Sequence, residues 1–156
     1  MIRCYTDGAC TLNKVNGEYL KGAGGYAYYV VDELDNPLHK FSAQKSVTTN
    51  NEMELLAILS GLQYCVNLPS NDIEVYSDSA YCINTFTNWI FSWEKNNWTR
   101  GKKKEPIKNL EVIKDIYKIM KESGKNIKFI KVKGHSVDFY NNLVDKMAVA
   151  AKRSVG

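Results

Sequence analysis

The chain reads as an α/β fold in which a mixed five-stranded sheet, three antiparallel strands followed by two parallel ones, carries helices on both faces. Three observations predict it. The first half alternates apolar and polar side chains in strand fashion, the second half alternates strand-like with helix-like segments, and no Pro-, Gly- or Ser-rich linker divides the two. "MIRCYTD" (1–7), "GYAYYVVD" (25–32) and "LHKFSAQ" (38–44) form the meander, with Asp35-Asn36-Pro37 as the turn between the last two. A strongly apolar helix follows over about 50–66, then a strand "DIEVYSD" (72–78) and a helix over about 80–89. Beyond a Lys- and Trp-rich connection, Pro106 opens a helix to about Ser123, residues 126–132 make the last strand, and a final helix starts near Tyr140. The order is βββαβαβα, and strands separated by helices imply parallel pairings added to the meander.

At 156 residues and 44% apolar composition, residues 1–156 suit a single domain with one core. No apolar run approaches the length of a membrane span, and Met1 leads straight into a strand-like segment, so a soluble cytoplasmic protein without membrane contact is expected. Cys4, Cys10, Cys65 and Cys82 are scattered without a C-x-x-C pair, which argues against a thiolate zinc site or a disulfide framework and for reduced packing residues. The net charge of +4 is mild, but residues 95–133 hold 13 of the 21 Lys and Arg against four acids. One region therefore attracts polyanions while negative charge gathers elsewhere. A solvated helix face is the alternative reading of those lysines.

The stretch "SVTTNNEMELLAILSGL" (46–62) places two glutamates at the start of the first helix. Thr49 through Glu52 fit a capping box, in which Thr and Glu satisfy each other's free backbone donors. Glu54 has no such role and shares its stripe with Ile58, Gly61, Leu62 and Cys65, so it faces packed structure and needs a cation or a metal beside it. "YTDGAC" and "YSDSAY" end alike, in Tyr, a small hydroxyl residue and Asp. Ligands collect at the carboxyl ends of strands in open sheets, which would bring Asp7 and Asp78 together if their strands are neighbours. Asp145 lies early in the last helix. Taken singly, each of these acids also has an ordinary reading, as a turn residue, a helix cap or a first-turn acid favoured by the helix dipole. Together, Asp7, Glu54, Asp78 and Asp145 make an all-oxygen ligand set suited to a hard divalent ion such as Mg2+. Of the two histidines, His39 sits in a strand pattern and reads as structural, whereas His135 lies in a loop before the last helix, where it could move protons near the carboxylates. Trp89, Trp93 and Trp98 are interleaved with Lys95, Arg100, Lys102, Lys103 and Lys104, a mixture that neutralises phosphates and offers flat surfaces to sugars. The i, i+4 spacing of Trp89 and Trp93 equally suits packing of this segment onto the core.

"YTDGAC", "TTNNEMELLA", "YSDSAYC", "WIFSWEKNNWTRGKKKEPIKN", "VKGHS" and "NNLVDKMA" occur in the order found in the type 1 branch of the ribonuclease H family, which the chain resembles over essentially its whole length. The resemblance implies the ribonuclease H-like fold and a monomeric endonuclease that hydrolyses the RNA strand of RNA/DNA hybrids, leaving 5′-phosphate and 3′-hydroxyl ends. It implies that Asp7, Glu54, Asp78 and Asp145 bind two Mg2+ ions, with Mn2+ a possible substitute, and that His135 assists proton transfer or product release. By the same resemblance Asn13, Asn50, Asn51 and the backbone of Cys10 read the minor groove, where the 2′-hydroxyl distinguishes RNA from DNA. Thr49 would hold a DNA phosphate, Trp89 would meet the DNA strand, and the Lys- and Arg-rich segment resembles the family's basic protrusion, with Trp93 and Trp98 mainly packing it. The chain departs from the family's pattern in a longer first hairpin (14–23), in Glu52 where bacterial relatives often carry a base, and in Val137 and Asn142 of the histidine loop. Rival readings are another nuclease on the same architecture, a catalytically silent hybrid-binding module, and an ordinary α/β domain whose acids are caps.

Overall fold

Alternation at the start of the chain becomes a long antiparallel pair. A computed structural model describes residues 1–11, 13–133 and 138–155, the side chains of 13–15 and 18–20 excepted. In it β1 (Ile2–Cys10) leads through a small hairpin, β2 (Asn13–Val15) and β3 (Glu18–Leu20), into β4 (Gly22–Asp32) and β5 (Pro37–Thr48). The hairpin turns on Asn16 and Gly17, both at positive φ, the backbone that an Asn-Gly pair supplies for tight strand reversal. Helix α1 (Asn50–Cys65) follows, then β6 (Asp72–Ser77), α2 (Ala80–Asn84), a π-helical turn (Thr85–Trp89) and α3 (Ile90–Lys95). A minimal ladder, β7 (Thr99–Arg100) with β8 (Glu105–Pro106), precedes α4 (Leu110–Glu122), β9 (Asn126–Lys131) and α5 (Phe139–Arg153).

The main sheet runs in the order β5-β4-β1-β6-β9. β4 is antiparallel to both β1 and β5, while β1, β6 and β9 are mutually parallel. β1 is therefore central, and its side chains alternate between two cores. Cys4 points into the larger one, with Leu55, Ile58, Phe86, Ile113 and Ile116 from the helical side, whereas Tyr5 joins Val31 and Val144 beneath α5. Helices thus cover both faces. Gly25 permits the second layer: a Cβ there would stand 2.4 Å from the Ala148 carbonyl oxygen, so α5 lies almost on the backbone of β4.

Three local expectations need correction. Pro106 does not open a helix; it pairs with Thr99, and Asn109, left-handed at φ 59°, turns the chain into α4 at Leu110. The segment after Ala80 is not one α-helix, because Thr85 and Thr87 hydroxyls donate to the carbonyls of Tyr81 and Ile83, 2.7 and 2.6 Å away, where the helix widens into its π turn. Such back-bonding competes with the helical ladder and bends it. The capping box is half formed: the Glu52 N–H donates to Thr49 Oγ1, but the Glu52 carboxylate accepts instead from the Thr48 hydroxyl and from Lys45 Nζ. His39 stacks on Tyr64 at 4.4 Å. Cys4, Cys65 and Cys82 are buried, Cys10 is half-buried, and all four are free thiols. No described helix is long and apolar enough to cross a membrane.

Candidate active site

β1 and β6 lie side by side, and their parallel ladder ends on the rung Tyr5 to Tyr76. Asp7 and Asp78 each follow two residues later, so the two strands deliver a pair of carboxylates to one end of the sheet. The second turn of α1 brings Glu54 to the same place, because Gly8 lets the helix approach: a Cβ on Gly8 would stand 2.5 Å from the Glu54 backbone nitrogen. Carboxylate oxygens of Asp7, Glu54 and Asp78 lie within 4.8 Å of one another. Asp7 is 2% and Glu54 4% exposed. Asp145, on the second turn of α5, stands outside this tight trio, yet its carboxyl reaches that of Asp7 and its charge acts on Asp78.

Such crowding is expensive without a cation. Burial, with the charge of Asp78 and the proximity of Asp145 added, pushes Asp7 up to about 8. Burial and then the charges of Asp7 and Asp78 hold Glu54 well above the usual carboxylate range. Asp78 is raised by burial and by Asp145, with Lys131 opposing. Among the described residues no Lys or Arg forms an ion pair with any of the four acids. Oε2 of Glu54 is buried without a hydrogen-bond partner among the described residues. An orphaned carboxylate oxygen facing two further carboxylates, with no nitrogen or sulfur donor in the trio, fits a hard divalent cation held by oxygen.

A groove of about 580 Å3 is lined by Thr49, Asn51, Tyr81, Trp89, Trp93, Arg100, Ile107, Lys108 and Asn109. It joins the start of α1 to the segment around α3, so Thr49, Asn51, Trp89 and Arg100 share one wall system although up to 51 positions separate them. Asn50 is exposed on the first turn of α1. Lys95, Lys102 and Lys104 border a separate hollow on the β7–β8 projection with Asn96 and Asn97, and Lys103 is exposed beside them. That projection is pinned to α4: Trp98 meets Tyr117 edge-on at 5.8 Å, Lys114 Nζ lies 5.0 Å from the Trp98 ring centre, and Lys121 bonds Glu94 at 3.2 Å. Trp93 and Trp98 both pack on the main core, while Trp89 is 38% exposed. Cys10 Sγ sits 3.4 Å from the Thr48 carbonyl oxygen, bringing the end of β1 against the entry to α1. Sequence reasoning missed Lys108 and Asn109 as groove residues; the local density of lysines marks the first, and no sequence signal marks the left-handed Asn109. The side chain of Asn13 and all of His135 lie outside the described residues.

The RNase H family model matches residues 1–153. A ribonuclease H of Caldicellulosiruptor saccharolyticus is 40% identical over 146 residues, 92% of this chain and 90% of the relative. Among solved structures, a type 1 ribonuclease H with the type 2 active-site motif superposes with a TM-score of 0.80 at 21% identity, covering 99% of this chain and 73% of that one. A ribonuclease H1 crystallised in complex with RNA/DNA hybrid superposes with a TM-score of 0.70 at 23% identity, covering 98% and 97%.

Proposed function

Since the chain belongs to the ribonuclease H family, we propose that residues 1–156 form a single catalytic domain, a metal-dependent endoribonuclease that hydrolyses the RNA strand of RNA/DNA hybrids to 5′-phosphate and 3′-hydroxyl ends. The observation that carries this reading is the convergence of Asp7, Glu54 and Asp78 within 4.8 Å, with one buried oxygen of Glu54 unpartnered among the described residues. These three and Asp145 would hold two Mg2+ ions, for which Mn2+ could substitute. Bound divalent ions supply a nucleophilic water at neutral pH and neutralise charge at the leaving oxygen of an in-line displacement at phosphorus.

The remaining work falls to the chain's own groups. Burial of Asp7 and Glu54 keeps bulk water from competing for their oxygens, and their mutual repulsion raises their affinity for any cation, so at neutral pH a dication entering the site displaces a proton held there. His135 moves a proton at the reacting oxygen or aids release of the product. Asn50 and Asn51, with Asn13 and the backbone of Cys10, hydrogen-bond sugars and base edges where the 2′-hydroxyl marks the RNA strand. Thr49, Trp89 and Arg100 border a common groove that suits the DNA strand, with a phosphate near Thr49 and a sugar against the exposed Trp89 face. Lys95, Lys102, Lys103 and Lys104 neutralise phosphates further along the duplex. The protein acts as a monomer in the cytoplasm.

The test is cleavage of labelled RNA/DNA hybrid, duplex DNA and duplex RNA in Mg2+ by wild type, Asp7→Asn and Asp78→Asn. Hybrid-only cleavage abolished by either substitution is expected. Cleavage of duplex DNA, or full activity in either variant, would move the chain to another nuclease class on this architecture.

A further inference from the structure

The motif Tyr-hydroxyl-Asp occurs twice, as Tyr5-Thr6-Asp7 and Tyr76-Ser77-Asp78, and the proposed reaction uses only the aspartates. The tyrosines form a common aromatic assembly. Tyr5 and Tyr76, paired on the last rung of the β1–β6 ladder, stack with centroids 4.6 Å apart and planes 13° from parallel. Tyr140, in the first turn of α5, meets Tyr5 at 5.0 Å and stacks on Tyr29 of β4 at 5.7 Å. Polar groups hold the rims: Arg3 Nη1 donates to the Tyr5 hydroxyl at 3.2 Å, the guanidinium lies 5.9 Å from the Tyr140 ring centre, and the Tyr76 hydroxyl donates to Glu74 at 2.8 Å. Beyond the last rung the link between strands passes to Thr6, whose hydroxyl donates to the Tyr76 carbonyl oxygen at 2.9 Å.

Side chains therefore take over from the backbone ladder at the level where the acids project. From this geometry we propose that Tyr5, Tyr76 and Tyr140 are positioning residues that set the spacing of Asp7, Asp78 and Asp145, because one aromatic column ties together the three elements bearing those carboxylates. Each tyrosine on a strand precedes its acid by two residues, and Tyr140 precedes Asp145 by five. Aromatic rings have only two side-chain torsions and pack at defined separations, so the column resists the drift that repulsion between the acids would otherwise drive. Burial alone would be met by any apolar side chain, whereas fixed spacing needs flat, rigid rings. The inference rests on the metal-binding reading of these acids.

Its test measures Mn2+ affinity by calorimetry on nucleic acid-free protein, alongside hybrid cleavage, for Tyr5→Leu, Tyr140→Leu, Tyr5→Phe and Tyr140→Phe. Tyr117→Leu serves as comparator, because Tyr117 packs edge-on against Phe91 and Trp98 in the other core. The leucine variants should weaken Mn2+ binding by about tenfold or more and lower kcat more than they raise KM, as loss of groups that orient metal ligands does. Phenylalanine should restore both, and Tyr117→Leu should lower the melting temperature while leaving Mn2+ affinity near that of wild type. Tyr140 sits at the partly exposed rim of the column, so its leucine variant decides the matter if Tyr5→Leu does not fold. Wild-type affinity in a folded leucine variant, or an equal loss in Tyr117→Leu, would overturn the proposal alone. Absence of Mn2+ binding by wild type would overturn it together with the metal reading.

Discussion

Gly8→Ala isolates the contact on which the acid cluster depends. An ideal Cβ at this position would stand 2.5 Å from Glu54 N, 2.6 Å from Met53 C and 2.8 Å from Met53 Cβ. Ordinary contact begins at 3.4 Å, so the first turn of α1 must withdraw by roughly 1 Å, and the two nearest obstacles are backbone atoms that cannot rotate aside. Overpacking of this kind costs about 1–3 kcal/mol of stability. The larger effect is on chemistry, because Mg2+ accepts oxygens only near ideal octahedral positions and a misplacement of about 1 Å costs on the order of 100-fold in rate. Gly61→Ala is the matched control on the same helix, two turns beyond Glu54: its Cβ would meet the Cys4 side chain, Sγ at 2.5 Å, rather than backbone. Melting curves, Mg2+ titration calorimetry and hybrid cleavage should show both variants destabilised, but only Gly8→Ala depleted in metal affinity and kcat. Wild-type metal affinity in folded Gly8→Ala, or equal losses in both variants, would refute the reasoning.

Further outcomes follow from the same geometry. Asp7 titrates near 8 when folded against 3.8 as a free group, so its proton stabilises the metal-free fold fully below about pH 4, and that contribution is lost as the pH rises through 8. The melting temperature of metal-free protein should therefore fall across this window, divalent metal should restore it, and Asp7→Asn should raise metal-free stability at pH 8 and flatten its pH dependence. A melting temperature independent of pH and of Asp7 would contradict the repulsion argument. Trp98→Ala removes the edge-on contact with Tyr117 and should destabilise by about 2 kcal/mol while raising KM for hybrid more than it lowers kcat, as measured by melting and steady-state kinetics. Replacing Lys102, Lys103 and Lys104 together by Gln should reduce the slope of log affinity against log salt by up to about three, and an unchanged slope in a gel-shift titration would remove these residues from the interface.

Much of the architecture is legible because local patterns repeat over several residues. Alternation in "GYAYYVVD", the apolar stripe after Glu54 and the strand-turn-helix order of the second half each determine an element without help from elsewhere, and the five-stranded sheet agrees with them. Failures cluster where a residue's partner lies on another element. Glu52 satisfies the local rule for a capping box, yet Lys45 and Thr48 of β5 claim its carboxylate. Pro106 has the usual place of a helix opener, yet pairing with Thr99 holds it in an extended segment. Lys108 and Asn109 enter the groove only because Asn109 adopts a left-handed backbone that no neighbouring residue demands.

By itself the sequence determines which residues are acidic, where on each element they stand and which side of its strand or helix each occupies, since period two and period 3.6 are local properties of the backbone. Only the tertiary structure decides that Asp7 and Glu54, forty-seven positions apart, come to within 4.8 Å with Asp78 beside them. That distance depends on the approach of α1 over Gly8 and on the rung between Tyr5 and Tyr76, and both are contacts between segments whose separate conformations carry no information about their spacing.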